Sequence, residues 1–386
     1  MMFQDASTKA GHRSFPIDFV WVSTFPQDLF RAQREEGTMM PVNTDSLSTV
    51  VQRNCHITDA RHASNYTLCV YLLKMREYYR WEKGYPFDTA MPRDEVGDWL
   101  TQRERLWEML EEQPYAPIPL QKRAVDPFDT ATINAELLPQ GYVYSGGIGH
   151  RATAHFFLGR LERHLRFEDF EVLIAADEYA RDLTAPPALA LGKTIFIRRE
   201  SLKRMLWEKV QEWRWNRYDN AMGRALSYYD FDGDLDRGLE EMTRCELDAV
   251  THHEIGEVRA GAHLDEAWGE MLLALPHSRA EIMARAVRDH LADALATLPR
   301  LLETRNEASL HFYMANLSAM RRELAPGFTR AYAKWLEHHE LGPIARIAEQ
   351  GREHWLALAR RMLELYARRG TDCLPEMERL VESSHL

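Results

Sequence analysis

GYVYSGGIGHRATAHFFLGRLERHLRFEDFEVLIAADEYARDLTAPPALALGKTIFIRRES, residues 141–201, interrupts a chain whose pattern is otherwise helical. Three runs in it, GYVYSGG (141–147), FEVLIAA (170–176) and KTIFIRR (193–199), are rich in β-branched and aromatic residues and bounded by Gly or Pro. These predict a small sheet or hairpin. Between the first two runs, His150, Ala154, Leu158, Leu161 and Leu165 fall on one side of a helix, which predicts a helix over 149–167.

Outward from this stretch the pattern is helical. Residues 59–82 read as one long helix capped by Thr58 or Asp59 and ended by Gly84 and Pro86, and 93–112 as a second. A connector with Pro114, Pro117 and Pro119 follows, which cannot be helical throughout. Residues 201–229 read as a long helix capped by Ser201 and carrying Trp207, Trp213 and Trp215. After the acidic break at 230–236, helix continues to about residue 381, with breaks near Gly261, Pro276, Pro299, Pro326, Gly342 and Gly370. The expected fold is mainly α: a helical bundle with a small inserted β hairpin or sheet in its N-terminal half. Its parts are an irregular extension (1–40), a helical domain with the β insertion (41–232) and a C-terminal helical bundle (233–386).

The chain has 386 residues, enough to bury a substantial core, and its ten Trp and 45% hydrophobic content set it apart from disordered chains. Its formal charge of -11, from 59 acidic and 48 basic side chains, argues against nucleic acid or an anionic membrane surface as partner. Cys55, Cys69, Cys245 and Cys373 form no CxxC pair, so neither a disulfide framework nor a structural zinc site is expected, and a reducing cytoplasm fits. The first thirty residues hold no apolar run long enough for a signal peptide or a membrane span.

The chemistry concentrates in CELDAVTHHEIGEVRA, residues 245–260. At 100° per residue, Glu246, His253 and Glu257 fall alongside Met242, Ala249, Val250 and Ala260, on what should be a core face. Buried ionisable groups require partners: another charge, a metal or water. Glu77 lies on an aromatic stripe with Tyr66, Cys69, Val70, Leu73 and Trp81 and is a second inward carboxylate, with Arg76 and Arg80 as counter-ions if no metal is present. Glu307 and His311, one turn apart, could complete a ligand set or form an edge hydrogen bond.

Glu77, Glu246, His253, Glu257 and His311 are therefore the candidate metal ligands, of the types that hold iron or manganese in ferritin-like bundles. The spacing departs from those families: the usual Glu followed three residues later by His is absent. The other reading is a buried network of acid, His and Arg. HExxE at 253–257 lacks the second His of the zincin motif, which argues against a zinc peptidase.

Asp230, Asp232, Asp234, Asp236 and Glu241 match an EF-hand loop except at its sixth position, Leu235, where Gly is required, so they read first as helix caps. YSGGIG (144–149) lacks a Walker lysine and a complete GxGxxG and reads as a glycine-permitted turn. Arg198, Arg199, Lys203 and Arg204 could bind an anion, with a solvated basic face as the default.

DEYARDLTAPPALALGKTIFIRRESLKRMLWE (177–208) together with THHEIGE (251–257) resembles an uncharacterised bacterial two-domain family of unknown function. The resemblance covers most of the chain after Met40 and implies a bacterial cytoplasmic protein. It transfers no activity and no catalytic residue. Two function classes follow from the residues: a small-molecule enzyme sited between Glu77 and the Glu246/His253/Glu257 face, with iron or manganese redox chemistry or with metal-free acid–base chemistry, and a non-catalytic interaction or regulatory protein whose buried charges are structural.

Overall fold

The computed structural model describes residues 44–121, 123–149, 153–215 and 217–386. The expected extension over 1–40 and the helix start at His150 and Arg151 lie outside the described residues. The chain begins with α1 (Thr44–His62), α2 (Leu68–Lys83) and α3 (Arg93–Leu110), then a two-stranded ribbon of β1 (Ile118–Pro119) and β2 (Ala124–Val125), and α4 (Thr130–Leu137). Five strands follow: β3 (Tyr142–Ile148), β4 (Ala154–Arg166), β5 (Glu171–Arg181), β6 (Ala188–Leu191) and β7 (Thr194–Arg198). The remainder is helical: α5 (Arg199–Trp215), α6 (Ala221–Leu226), α7 (Leu235–Ala274), α8 (Arg279–Ala292), α9 (Leu298–Thr304), α10 (Glu307–Asn316), α11 (Ala319–Leu324), α12 (Pro326–His338), α13 (Gly342–Arg369) and α14 (Leu374–Glu382).

The β element is not a small hairpin, and the chain is not all-α. The strands form one curled sheet in the order β3-β4-β5-β7-β6, antiparallel throughout except for the parallel β5/β7 pair. The helix expected over 149–167 is replaced by β4, the longest strand. Phe156, Phe157 and Leu158 are all buried there, which one face of a helix cannot do with three consecutive residues. Phe156 and Leu158 pack on Leu47, Val51 and Cys55 of α1. Phe157 points the other way, into a pocket of apolar side chains with Val143, Leu173, Ala175 and Phe196. A sheet buried on both faces reads as apolar runs rather than as alternation. Three register shifts between Leu158 and Arg163 change which residues face inward, and that irregularity imitates a helical leucine spacing. Gly159 stands at the first of them, where a Cβ would come within 2.8 Å of the Asp177 carbonyl oxygen.

Two long helices expected from sequence are each divided. α1 runs on to His62, the chain turns through a 3-10 segment at Ala63–Asn65, and α2 starts afresh. This sets the stripe differently: Cys69, Val70 and Leu73 are exposed, whereas Glu77 is buried. α2 ends as expected at Gly84, whose φ of 64° makes it a left-handed cap. α5 stops at Trp215, and Asn220 caps the separate α6.

Val172 and Ile174 of β5 and Ile195 and Ile197 of β7 pack against Leu202, Leu206 and Val210 of α5 and Leu239 and Met242 of α7. α7 then leaves the sheet and enters the C-terminal bundle, whose core includes Leu264, Trp268, Val287, Trp335, Trp355 and Met362. The helix continues through Gly261 but holds one non-helical residue, Asp265, at φ 55°. Asp234 caps α7 by accepting from the Arg237 N–H at 3.0 Å, and Asp230 accepts from the Gly233 N–H at 2.9 Å. These two aspartates of the near-EF-hand run are thus turn and cap acceptors. Gly146 and Gly147 lie inside β3, where a Cβ would meet the Pro127 carbonyl or the Leu191 side chain. Close packing is the reason for glycine there.

Candidate functional site

Arg80 closes the turn that ends α2. Its Nε donates to Glu77 Oε2 at 3.0 Å, and Nη1 donates to the carbonyl oxygens of Pro86 and, at 3.4 Å, Thr89. This turn is one wall of a cavity of about 390 Å³. β5 contributes Ala176, Asp177 and Arg181, the start of α5 contributes Arg199, Glu200, Lys203 and Arg204, and the start of α7 contributes Asp236 and Glu240. The strand-to-helix junction at Arg198 and Arg199 places basic side chains alternately inside the protein and along this wall.

Beneath the wall lies a fully buried carboxylate. Arg198 grips Glu178 with Nε to Oε1 at 3.0 Å and Nη2 to Oε2 at 2.6 Å, while Ser201 Oγ donates to Oε1 at 2.5 Å. Burial alone would raise the pKa of Glu178, but Arg198 and Arg181 overcome it and hold it below the usual carboxylate range. Arg181 Nη1 stands 3.9 Å from Glu178 Oε2, beyond hydrogen-bond length. Its guanidinium lies 5.0 Å from the Trp81 ring centre and 5.6 Å from that of Tyr78.

Three groups in the wall are shifted, among them Lys203, which burial pushes down. Burial, then the Glu178 charge, pushes Glu200 up to about 7, although its Oε2 accepts from the Glu178 N–H at 2.6 Å. Burial, then the crowding cation Arg204, pushes Arg181 down from its ordinary value. A carboxyl poised near neutrality can exchange a proton at physiological pH.

The residues expected as metal ligands take separate positions. Glu77 is buried in the cavity wall beside Arg80, with Arg76 Nε at 3.9 Å from its other oxygen. His253 lies 17 residues along α7 from Asp236 of the same cavity, which at helical rise is about 25 Å. His253 Nδ1 meets Asp293 Oδ1 at 2.8 Å. Asp293 opens a π-helical turn, Asp293–Thr297, and also accepts from Thr297 and Tyr313 at 2.9 Å each and from Arg321. Burial opposes charge on His253, but the Asp293 carboxylate prevails and raises it to about 9.

Glu257, one turn further, pairs with Arg288 at 2.6 Å and lines a second cavity with Lys193, Gly261 and Asp265. Glu246 is buried and accepts from Ser309 Oγ at 2.7 Å, and burial pushes it up to about 7. His311 contacts the Tyr332 hydroxyl at 2.8 Å and lies against the Trp335 ring, and burial pushes it down to about 4. Glu307 accepts from Tyr228 at 2.7 Å. The structure thus brings His253 and Glu257 near one another and leaves Glu77 and His311 elsewhere. Among the described residues no group of three or more His, Cys, Asp or Glu side chains is placed to hold a metal ion.

Sequence reasoning reached Glu77, Arg80 and the basic residues Arg198, Arg199, Lys203 and Arg204 but missed Glu200, which stands among them, and Arg181 and Glu178. Their signal was available: an acid and an arginine three apart in a strand whose neighbours are apolar. Arg198 and Arg204 are buried rather than a solvated basic face.

Family models match residues 46–198, as the N-terminal domain of a family of unknown function (DUF6866), and residues 203–384, as its C-terminal domain. The chain belongs to this family. Comparison with curated proteins and with solved structures gave no match. In this DUF6866 protein the charged cavity draws on both domains, with Glu77, Arg80 and Arg181 from the first and Lys203, Arg204, Asp236 and Glu240 from the second. Among the described residues no helix is long and apolar enough to cross a membrane.

Proposed function

We propose that this protein binds a small polar molecule in the cavity between its two domains and acts on it by acid–base chemistry, with Glu200 giving and taking the proton. The observation that supports this reading is the position of Glu200: a carboxyl tuned to about 7, fixed by the Glu178 N–H, in the wall of a cavity lined by charged side chains. Charged groups are costly to desolvate, so a wall of them around a cavity points to a polar occupant. Trp81 and Phe87 supply the apolar part of the lining. The four cysteines are free thiols, which supports a reducing cytoplasm as the compartment.

A second reading, a non-catalytic regulatory protein, draws support from the Asp293 cluster, where four donors from α7, the π-turn, α10 and α11 satisfy one carboxylate and tie the elements together. Screening polar metabolites by thermal denaturation tests the first reading. Compounds that stabilise the wild type should fail to stabilise Ala176→Phe, which fills the cavity, and their conversion should be lost in Glu200→Gln with binding retained. Stabilisers that act equally on Ala176→Phe would remove the cavity as the site. Binding without turnover, unchanged in Glu200→Gln, would favour the regulatory reading.

A further inference from the structure

Arg181 is 2% exposed, yet among the described residues its guanidinium donates no hydrogen bond: Nε is buried without a partner, and the one described carboxylate within 4 Å, that of Glu178, stands at 3.9 Å. That carboxylate, Glu178, is already gripped by Arg198 and Ser201. Tyr78 and Trp81 lie within 6 Å of the Arg181 guanidinium carbon, so its N–H donors are left without an acceptor, and the residue itself lines the cavity. Two neighbours repeat the pattern. Arg80 Nη2 and Arg204 Nε are also buried without partners, and both residues line the same cavity. A buried guanidinium without an acceptor is costly, and its forked N–H groups match an oxyanion.

Resting on the cavity reading above, we infer that the molecule bound there carries an oxyanion, a carboxylate or a phosphate, received by the guanidinium of Arg181 with Arg80 and Arg204 beside it. The anion supplies the acceptor that Glu178, committed to Arg198, does not. Glu200 then lies at the same wall as the bound acid group, so the anionic end of the ligand is held close to the proton-transfer carboxyl.

The test uses the full chain and three probes at constant ionic strength: inorganic phosphate, succinate and the uncharged succinamide, followed by thermal denaturation and calorimetry. Phosphate or succinate should raise the melting temperature of the wild type, and affinity should fall at least tenfold in Arg181→Gln and in Ala176→Phe. Arg181→Lys, which keeps the charge and loses the fork, should fall between. A response to phosphate assigns a phosphate ester and a response to succinate a carboxylic acid. Ligand-free Arg181→Gln should melt lower than wild type because it removes one of the cations that offset Glu178; no anion response in the wild type would make Arg181 a structural counter-charge of Glu178 alone and overturn the inference. Should Arg181→Gln fail to fold, the three-probe comparison on the wild type decides alone. Succinamide binding that Ala176→Phe abolishes, without binding of either anion, would sink the inference and leave the cavity reading standing. If no probe depends on the cavity, that reading fails as well.

Discussion

Arg198 holds Glu178 through two hydrogen bonds of 3.0 and 2.6 Å, with both side chains wholly removed from solvent. Such a pair contributes little relative to apolar packing, yet removing one member strands the other charge. Arg198→Ala should therefore cost about 3–5 kcal/mol in denaturant unfolding. A loss below 1 kcal/mol would mean that Arg181 can move the remaining distance and take over Glu178.

Glu200 gives a pH signature. Its folded pKa, about 7, lies above the unfolded value of 4.5, so between these pH values the folded state holds the extra proton. Stability from this group falls as pH rises from 4.5 through 7. Glu200→Gln removes the titration and should be the more stable protein at pH 8, by on the order of 2 kcal/mol. Parallel stability curves for the two proteins from pH 5 to 8 would contradict it.

His253 shifts in the same direction for the opposite reason. Its folded value of about 9 exceeds the ordinary 6.5, so its ion pair with Asp293 is fully stabilising below pH 6.5 and is lost as pH rises through 9. His253→Ala should flatten this part of the pH dependence and cost on the order of 2 kcal/mol at pH 6, a value discounted because the ring is one-third open to solvent. Titration of the ring by NMR checks the value directly, and a midpoint at 6.5 or below would separate His253 from Asp293.

Gly256 lets α7 approach α8. A Cβ there would collide with the backbone of Ala292, the residue before the π-turn that begins at Asp293. Since the obstacle is backbone rather than a flexible side chain, Gly256→Ala should cost about 1–3 kcal/mol through overpacking. It should also lower the His253 midpoint, because the two helices that carry the pair are forced apart. An unchanged His253 titration in a destabilised variant would locate the strain elsewhere.

Local pattern sufficed for what local forces decide. The left-handed cap at Gly84, the Asp234 cap, the C-terminal run of helices and three of the strands were legible because turn chemistry and periodicity act within a few residues. Glu77 is buried although Cys69, Val70 and Leu73, the stripe that carries it in the sequence, are exposed, whereas the inward position of Glu246 was legible from its helical period. β4 was not, because its leucine spacing fits a helix, and the choice is made by pairing with β3 and β5 and by the burial of Phe156, Phe157 and Leu158 on two faces at once. Nor was the division of the charged residues into separate clusters. Glu77 and His253 both read as facing inward, but their partners differ in range: Glu77 meets Arg80 one turn along α2, whereas His253 meets the Asp293 carboxylate at a π-turn 40 residues beyond it. The Arg80 counter-ion was therefore readable from the helix, but where the partner of a buried charge lies on another element, as for His253, packing sets its identity and a helical stripe carries no record of it.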